Sequence, residues 1–258
     1  MRTIGDYEVH EALGRGRWSI VYRARHVASG RNVALKLVAV PAEDRCGRRF
    51  LAEARCTRDL AHPNLVTVHE YGACAEGIFL ALEPAGRVLA TAIATALPPA
   101  RALRIARDVA AALDYLHARG IAHRDVRPAN VFLRDDGTAL LGEPLGCAQL
   151  GFASDGVERL RGALTDYDSP EQLAQQAVDG RGDLYGLGIV LHRMLAGTLP
   201  FAGEPIVSAM NRMTGQSQPL PTLLAVYQPL VSALLARARD DRPRDGAAVV
   251  RAIDALLA

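Results

Sequence analysis

Apolar and polar positions change period partway along the chain. In the early part, Tyr7 to Leu13, Ile20 to His26 and Asn32 to Val40 are β-prone runs, and Ala28-Ser29-Gly30 between the last two is a turn signal that makes them a hairpin. Arg48 to Leu60 has helical spacing, and Leu65 to Tyr71 and Ile78 to Glu83 return to strand character. From Pro98 the period is helical: Leu103, Ala106, Val109, Ala110, Leu113 and Leu116 mark one face of a long helix that Gly120 should stop. Further helices fit Asp183 to Ala196, Glu204 to Met213, Gln228 to Ala238 and Asp245 to Leu257. Glu83-Pro84-Ala85-Gly86 is the one breaker cluster between the halves. The pattern predicts an α+β chain forming a single domain over 1–258: a small, mostly β lobe over 1–83, a hinge at 84–86 and a larger helical lobe over 87–258.

Composition narrows this picture. The 258 residues are 50% apolar and 22% charged, enough to bury a substantial core, which excludes disorder. Thirty basic residues against 28 acidic ones leave a net charge of +2, with both signs interspersed. That balance argues against a nucleic-acid or acidic-membrane binder, which concentrates basic charge on one face. The start, MRTIGDYEVH, lacks an apolar leader, and no apolar run approaches the roughly 20 residues of a membrane span. A soluble, cytoplasmic chain without sensor domain or membrane anchor is expected. Cys46, Cys56, Cys74 and Cys147 show neither metal-ligand spacing nor a disulfide framework and read as idle thiols. Lys36 is the only lysine; every other basic residue is Arg, which looks like coding bias from a GC-rich bacterial genome.

Three segments carry candidate chemistry. Leu13-Gly14-Arg15-Gly16-Arg17-Trp18-Ser19-Ile20-Val21 lies between the first two strands. It reads equally as a plain hairpin turn and as a glycine loop offering backbone N–H groups to phosphates; a dinucleotide fingerprint is excluded, because that motif leads from a strand into a helix. Val33-Ala34-Leu35-Lys36 follows in the third strand, with Glu53 on the next helix. A strand lysine paired with a helix glutamate can present an ammonium to phosphates, or can be an ordinary surface ion pair. A compact ammonium, which a planar guanidinium cannot imitate, would explain why this one position resisted Arg. His123-Arg124-Asp125-Val126-Arg127-Pro128-Ala129-Asn130 comes just after the long helix.

With that third segment the chain resembles the protein kinase superfamily, most closely the bacterial serine/threonine kinases. Ser169-Pro170-Glu171, Asp183 to Gly188 and Arg242-Pro243 resemble later kinase elements, so the likeness runs from Tyr7 to about Leu257. It implies a bilobal protein-kinase fold and phosphoryl transfer from ATP, with Mg²⁺ or Mn²⁺, to Ser/Thr hydroxyls of a protein substrate. Asp125 would be the catalytic base, Asn130 and Glu143 metal ligands, Lys36 and Glu53 the ion pair placing the phosphates, and Arg127 a partner of the transferring group. Leu13, Gly14 and Gly16 would cover the nucleotide. Adenine would lie between Val21 and Ala34 on one side and Phe132 on the other, bonded to the backbone of Glu83 and Ala85, with Leu82 as gatekeeper. Glu171 with Arg242, and Asp183, would be structural.

The pattern departs from the family at Glu143-Pro144-Leu145, where Asp-Phe-Gly is expected. Glu carries its carboxylate about 1.5 Å further than Asp, and Mg²⁺ tolerates little departure from octahedral geometry. Where a Gly-Thr pair is expected about five or six residues ahead of Ser169, the chain has Gly162-Ala163-Leu164-Thr165-Asp166-Tyr167-Asp168, so the Thr that would bond the base is missing unless Thr165 has shifted into its role; Arg127 stands for the usual Lys. Two readings follow: a slow kinase in which Glu143 substitutes for Asp, or a nucleotide-binding pseudokinase that regulates or scaffolds a protein partner. A small-molecule phosphotransferase shares the His-x-Asp-x4-Asn loop but lacks Arg124 and the Ser169-Pro170-Glu171 element. His62-Pro63-Asn64 reads as a loop lock, Trp18 as an exposed tip, and Ser154 and Thr165 as phosphorylation candidates opposite Arg124.

Overall fold

The computed structural model describes residues 2–16, 19–142, 148–149 and 165–258, without the side chains of Glu53, Ala148 and Gln149. These residues fall into two compact units, one of 2–61 with 65–85, the other of 62–64, 86–142, 148–149 and 165–258.

The first unit is built on an antiparallel sheet of β1 (Arg2–Ile4), β2 (Tyr7–Arg15), β3 (Ser19–His26), β4 (Asn32–Val38), β5 (Val68–Cys74) and β6 (Gly77–Leu82), in the order β1-β2-β3-β4-β6-β5. Strand alternation puts Tyr7, Tyr22, Ala24, Val33, Leu35, Leu37, Phe79 and Ala81 into one apolar cluster, which fixes the register, because a slip by one residue would expose all of them. Helix α1 (Arg45–Arg58) packs against β5 and β6. Leu65 and Val66 are buried but lie ahead of the strand that the sequence places over Leu65 to Tyr71. The strand is β5, whose register is set by the hairpin that pairs Cys74 with Gly77. An apolar run reports burial, and here the burial belongs to a loop.

The second unit begins with β7 (Arg87–Val88), α2 (Leu89–Ala92) and α3 (Pro99–His117). Next come β8 (Ile121–Ala122), a 3-10 turn at Pro128–Asn130, β9 (Val131–Leu133), β10 (Ala139–Leu141) and β11 (Ala148–Gln149). Helices α4 (Pro170–Leu173), α5 (Gly180–Ala196), α6 (Pro205–Thr214), α7 (Gln228–Leu234) and α8 (Gly246–Leu257) complete it. The apolar face of α3 is buried as its period predicts, and Gly120, at φ +72°, takes the left-handed conformation that ends the helical run. Helix α5 is buried almost all round and packs against α3 and α7. Helix α7 stops at Leu234, short of the predicted Ala238. The Arg242 guanidinium donates to the carbonyls of Ala236 (2.7 Å) and Arg237 (3.0 Å), which satisfies them without another helical turn.

Candidate active site

In the first unit the residues expected to face a nucleotide share one side of the sheet. Because Val33, Leu35 and Leu37 point into the core, Ala34 and Lys36 point to the opposite face, where both are half-buried. Lys36 pairs with Val21 on β3 and Leu80 on β6, Val21 pairs with Gly14 on β2, and Ala34 pairs with Leu82. Register alone therefore lines up Gly14, Val21 and Lys36 across three strands. The glycine loop is closed by Gly16 N–H donating to Ser19 O at 2.7 Å. Its tip, Arg17 and Trp18, lies outside the described residues. A cavity of about 590 Å³ has Leu13, Ala34, His10, Arg23 and Pro84 among its lining residues. Glu83 is pinned to Thr67 twice, its N–H donating to Thr67 O (3.0 Å) and its carboxylate accepting from Thr67 N–H (3.0 Å). Ala85 and Leu82 are buried. Glu53 falls on α1, and its side chain lies outside the described part of the chain, so the expected pairing with Lys36 does too.

In the second unit, the segment after β8 is organised by one fully buried carboxylate. Asp183 accepts from His123 N–H (2.7 Å), Arg124 N–H (2.6 Å) and the His117 ring Nε2 (2.8 Å). Burial pushes the Asp183 carboxyl up, but the His117 hydrogen bond, with His117 and His123 beside it, outweighs burial and holds it below the usual carboxylate range. This anchorage holds Arg124 at φ +65°, a conformation that costs energy for a side chain with a Cβ and persists only where the surroundings impose it. His123 Nδ1 accepts from Asp125 N–H (3.2 Å), which assigns the ring proton to Nε2, the atom that meets Gly142 O at 2.8 Å. Gly142 N–H in turn donates to Asn130 O (2.8 Å).

Asp125 emerges from this frame half-buried. Asn130 Nδ2 donates to its carbonyl (2.9 Å) and to its Oδ2 (2.7 Å), while Arg127 Nε sits 3.3 Å from its Oδ1. The two donor bonds orient the Asn130 amide and leave Oδ1 as its remaining acceptor, an oxygen of the kind a hard divalent cation takes. Phe132, on β9, pairs with Leu140 and Val88 and is half-buried. Glu143, Pro144 and Leu145, directly after the doubly held Gly142, lie outside the described residues, as does Ser154. Among the described residues no cluster of three or more His, Cys, Asp or Glu could hold a metal.

The Thr165 hydroxyl, the alternative candidate for bonding the base, donates to Asp168 Oδ1 (2.9 Å), and Asp168 also accepts from Thr165 N–H (2.7 Å), a local closure that commits the hydroxyl proton elsewhere. His62-Pro63-Asn64 is a loop lock, as expected, and what it holds is β10. Asn64 Nδ2 donates to Ala139 O (3.0 Å), and Leu141 N–H donates to Asn64 O (2.8 Å). The structural pair is as expected: Arg242 meets Glu171 in a buried two-pronged contact at 2.7 and 2.9 Å. Sequence reasoning missed Gln172, whose Nε2 donates to Arg124 O (2.9 Å) while its Oε1 accepts from Ser169 N–H (3.0 Å). The Ser169-x-x-Gln172 spacing of a helix-capping box was available as a signal. A lone histidine at a helix end, such as His117, carries none.

A half-buried carboxylate on a loop braced by a buried aspartate, in a chain that begins with a glycine-loop sheet, is the arrangement of a protein of the kinase class. Comparison with known proteins agrees: the family described as "Protein kinase domain" matches residues 7–245, and the chain belongs to that family. It is 32% identical over 260 residues to serine/threonine-protein kinase Pkn1 of Myxococcus xanthus, covering 96% of this chain and 37% of that protein. It is 36% identical over 246 residues to CBL-interacting protein kinase 4 of Oryza sativa subsp. japonica, covering 90% of this chain and 54% of that one. The chain thus spans about half or less of the length of these curated relatives. A crystal structure of the Mycobacterium tuberculosis PknI kinase domain superposes with a TM-score of 0.79 at 28% identity, covering 100% of this chain and 98% of the other. The chain has the bilobal protein-kinase fold. No helix among the described residues is long and apolar enough to cross a membrane.

Proposed function

We propose that this chain is the catalytic domain of a serine/threonine protein kinase, a single domain over 1–258 divided at 84–86, that uses ATP with Mg²⁺ or Mn²⁺. The arrangement at Asp125 carries the reading: a carboxylate whose one oxygen is held by Asn130 and whose other faces Arg127, on a backbone fixed by Asp183. Such a group can accept the proton of a substrate hydroxyl as it attacks the γ-phosphoryl group. Arg127 supplies positive charge where the transferring group gains negative charge. Lys36, with Glu53, orients the phosphates; Leu13, Gly14, Gly16, Val21, Ala34, Leu82, Glu83, Ala85 and Phe132 hold the nucleotide. The divalent cation supplies charge neutralisation at the phosphates, and Asn130 and Glu143 are the residues that would hold it. A cytoplasmic setting, without nucleic acid or membrane as partner, fits the charge balance.

A second reading, a nucleotide-binding pseudokinase, is favoured by Glu143-Pro144-Leu145 in the sequence and by the engagement of Thr165 with Asp168. Purified protein with radiolabelled ATP, Mg²⁺ or Mn²⁺ and a generic basic protein substrate separates the two, with Asp125→Asn as control. Incorporation by the wild type that drops at least about a hundredfold in Asp125→Asn is expected, in line with the loss of a general base. Equal incorporation by both proteins leaves the pseudokinase reading.

A further inference from the structure

Helix α1 carries five cations in 14 residues, Arg45, Arg48, Arg49, Arg55 and Arg58, against one carboxylate, Glu53. The whole chain sets 30 basic against 28 acidic residues, so the excess is local to this helix. At 3.6 residues per turn, Arg45, Arg48, Ala52, Arg55 and Cys56 fall within one arc of about 100°. Arg45, Arg48 and Arg55 are exposed on that arc, and Arg58, also exposed, flanks it at the C-terminal end. Gly47, Ala54 and Thr57, on the other side, are buried, and a Cβ on Gly47 would collide with the Pro41 carbonyl. Close packing on the buried side therefore fixes the rotation of the helix and leaves the arginines in solvent.

The helix itself gains nothing from them. Its N-terminal end carries partial positive charge and disfavours cations, yet Arg45, Arg48 and Arg49 occupy its N-terminal half, no acidic residue stands in the first turn, and the Asp44 side chain makes no capping bond. Arg45 meets Arg48 and Arg49 at the i,i+3 and i,i+4 spacings, where like charges repel across adjacent turns. Neighbouring residues do not neutralise the stripe either. Among the described residues the side chains of Arg45, Arg55 and Arg58 make no hydrogen bond or ion pair, and Arg48 donates to the carbonyl of Glu43 rather than to a carboxylate. An arrangement that costs the free protein stability and is displayed on an exposed face marks a surface used for binding.

What the stripe lacks narrows its occupant. Only Ala52 and Cys56 stand among the arginines. No exposed large apolar side chain stands on α1 to enter a bilayer, and no exposed aromatic to stack on a base. A net charge of +2 supplies no wider basic field for a nucleic acid. Guanidinium forks do match carboxylates. Arg45 and Arg58 are about 20 Å apart along the axis, a distance that about six extended residues cover. We infer that the outer face of α1 is a docking surface for an acidic segment of a partner protein, a run of Asp and Glu whose carboxylates meet Arg45, Arg48, Arg55 and Arg58. Each is an exposed ion pair, contributing up to about fivefold in affinity and weakening with salt.

Binding tests this without requiring catalysis. Two fluorescein-labelled peptides of equal length, one alternating Glu with Ala and the other Gln with Ala, are titrated by anisotropy into the full chain at low salt. The wild type should bind the Glu peptide at least about tenfold more tightly. Arg45→Gln, Arg55→Gln and Arg58→Gln combined should bring the two peptides within about twofold of each other. Arg101→Gln with Arg104→Gln, which removes two exposed arginines from α3, should leave the preference in place. Arg45→Glu puts an acidic residue in the first turn, so it should raise the thermal unfolding midpoint by about 1–3 °C while weakening the Glu peptide. A lowered midpoint would show that this arginine serves the fold, and would overturn the inference. Equal binding of the two peptides by the wild type, or an equal loss of preference in the α3 variant, does the same. So does tighter binding of phosphatidylserine vesicles or a DNA duplex than of the Glu peptide through the same arginines.

Discussion

The two candidate surfaces of this protein are assembled by different physics. In the sheet of the first unit, Gly14, Val21, Ala34 and Lys36 are placed by strand register, which the apolar cluster on the other face enforces. In the second unit, Asp125 is placed by hydrogen bonds that converge on the buried Asp183. A register is secured by many weak contacts, none of them unique to the functional residues. A hydrogen-bonded loop depends on single atoms, each costly to leave unpaired in the interior. Residues of the sheet face can therefore change function with little effect on folding, whereas those beneath the loop affect both.

Substitutions can break that contrast, and the largest effect is expected at Asp183. Asp183→Ala strands two buried backbone N–H groups and the His117 ring, so urea denaturation should show a loss of about 3 kcal/mol or more. A loss under about 1 kcal/mol would mean that the loop is held by packing, as the sheet is. Glu171→Ala leaves Arg242 buried without its carboxylate, and about 3 kcal/mol is expected by the same measurement. Replacing Glu171 and Arg242 together by apolar residues should recover part of it.

Acid titration sharpens the comparison further. Burial holds His62 and His192 in the second unit, and His69 in the first, below the usual histidine range. The unfolded chain then takes up protons that the folded one refuses, so stability is complete above about pH 6.5 and declines as pH falls from there. Thermal unfolding from pH 7.5 to 5.5 should show a falling midpoint. His192→Asn, which keeps a donor for Thr198 O but cannot titrate, should remove part of that slope. Asp183 adds a further loss only at more acid pH, because its carboxyl is held below the ordinary range near pH 4. The smallest stability effect is expected at Lys36. Lys36→Met should change unfolding free energy by less than about 0.5 kcal/mol, yet abolish the thermal shift given by ATP with Mg²⁺. Loss of stability without nucleotide would show that the sheet face is structural as well.

The sheet face was largely legible in the sequence, because a period of two states which residues share a side. In Val33-Ala34-Leu35-Lys36, alternation alone marks Ala34 and Lys36 as the pair opposite the core. The long helix and its stop at Gly120 were legible for the same kind of reason, a repeating period followed by a residue free to turn. The loop network was legible only through family resemblance, since nothing local in His117, Asp183 or Gln172 says that they meet His123 and Arg124. Thr165 shows the limit of such resemblance: its hydroxyl is drawn to the carboxylate three residues away.

The sequence by itself determined the two-part α+β organisation, the residues sharing the sheet face, the kinase-type loop and the departures at Glu143-Pro144-Leu145. Periodicity and motif spacing are properties of the chain read in order, so they need no knowledge of how it folds. Only the tertiary structure decided that Asp183 braces the loop carrying Asp125, that Asn64 locks onto β10, and that Arg212 holds the carbonyls of Thr165 and Asp168. Each of these joins residues tens of positions apart through a buried polar group. Whether such a group has its partner is settled by where the fold brings the two together.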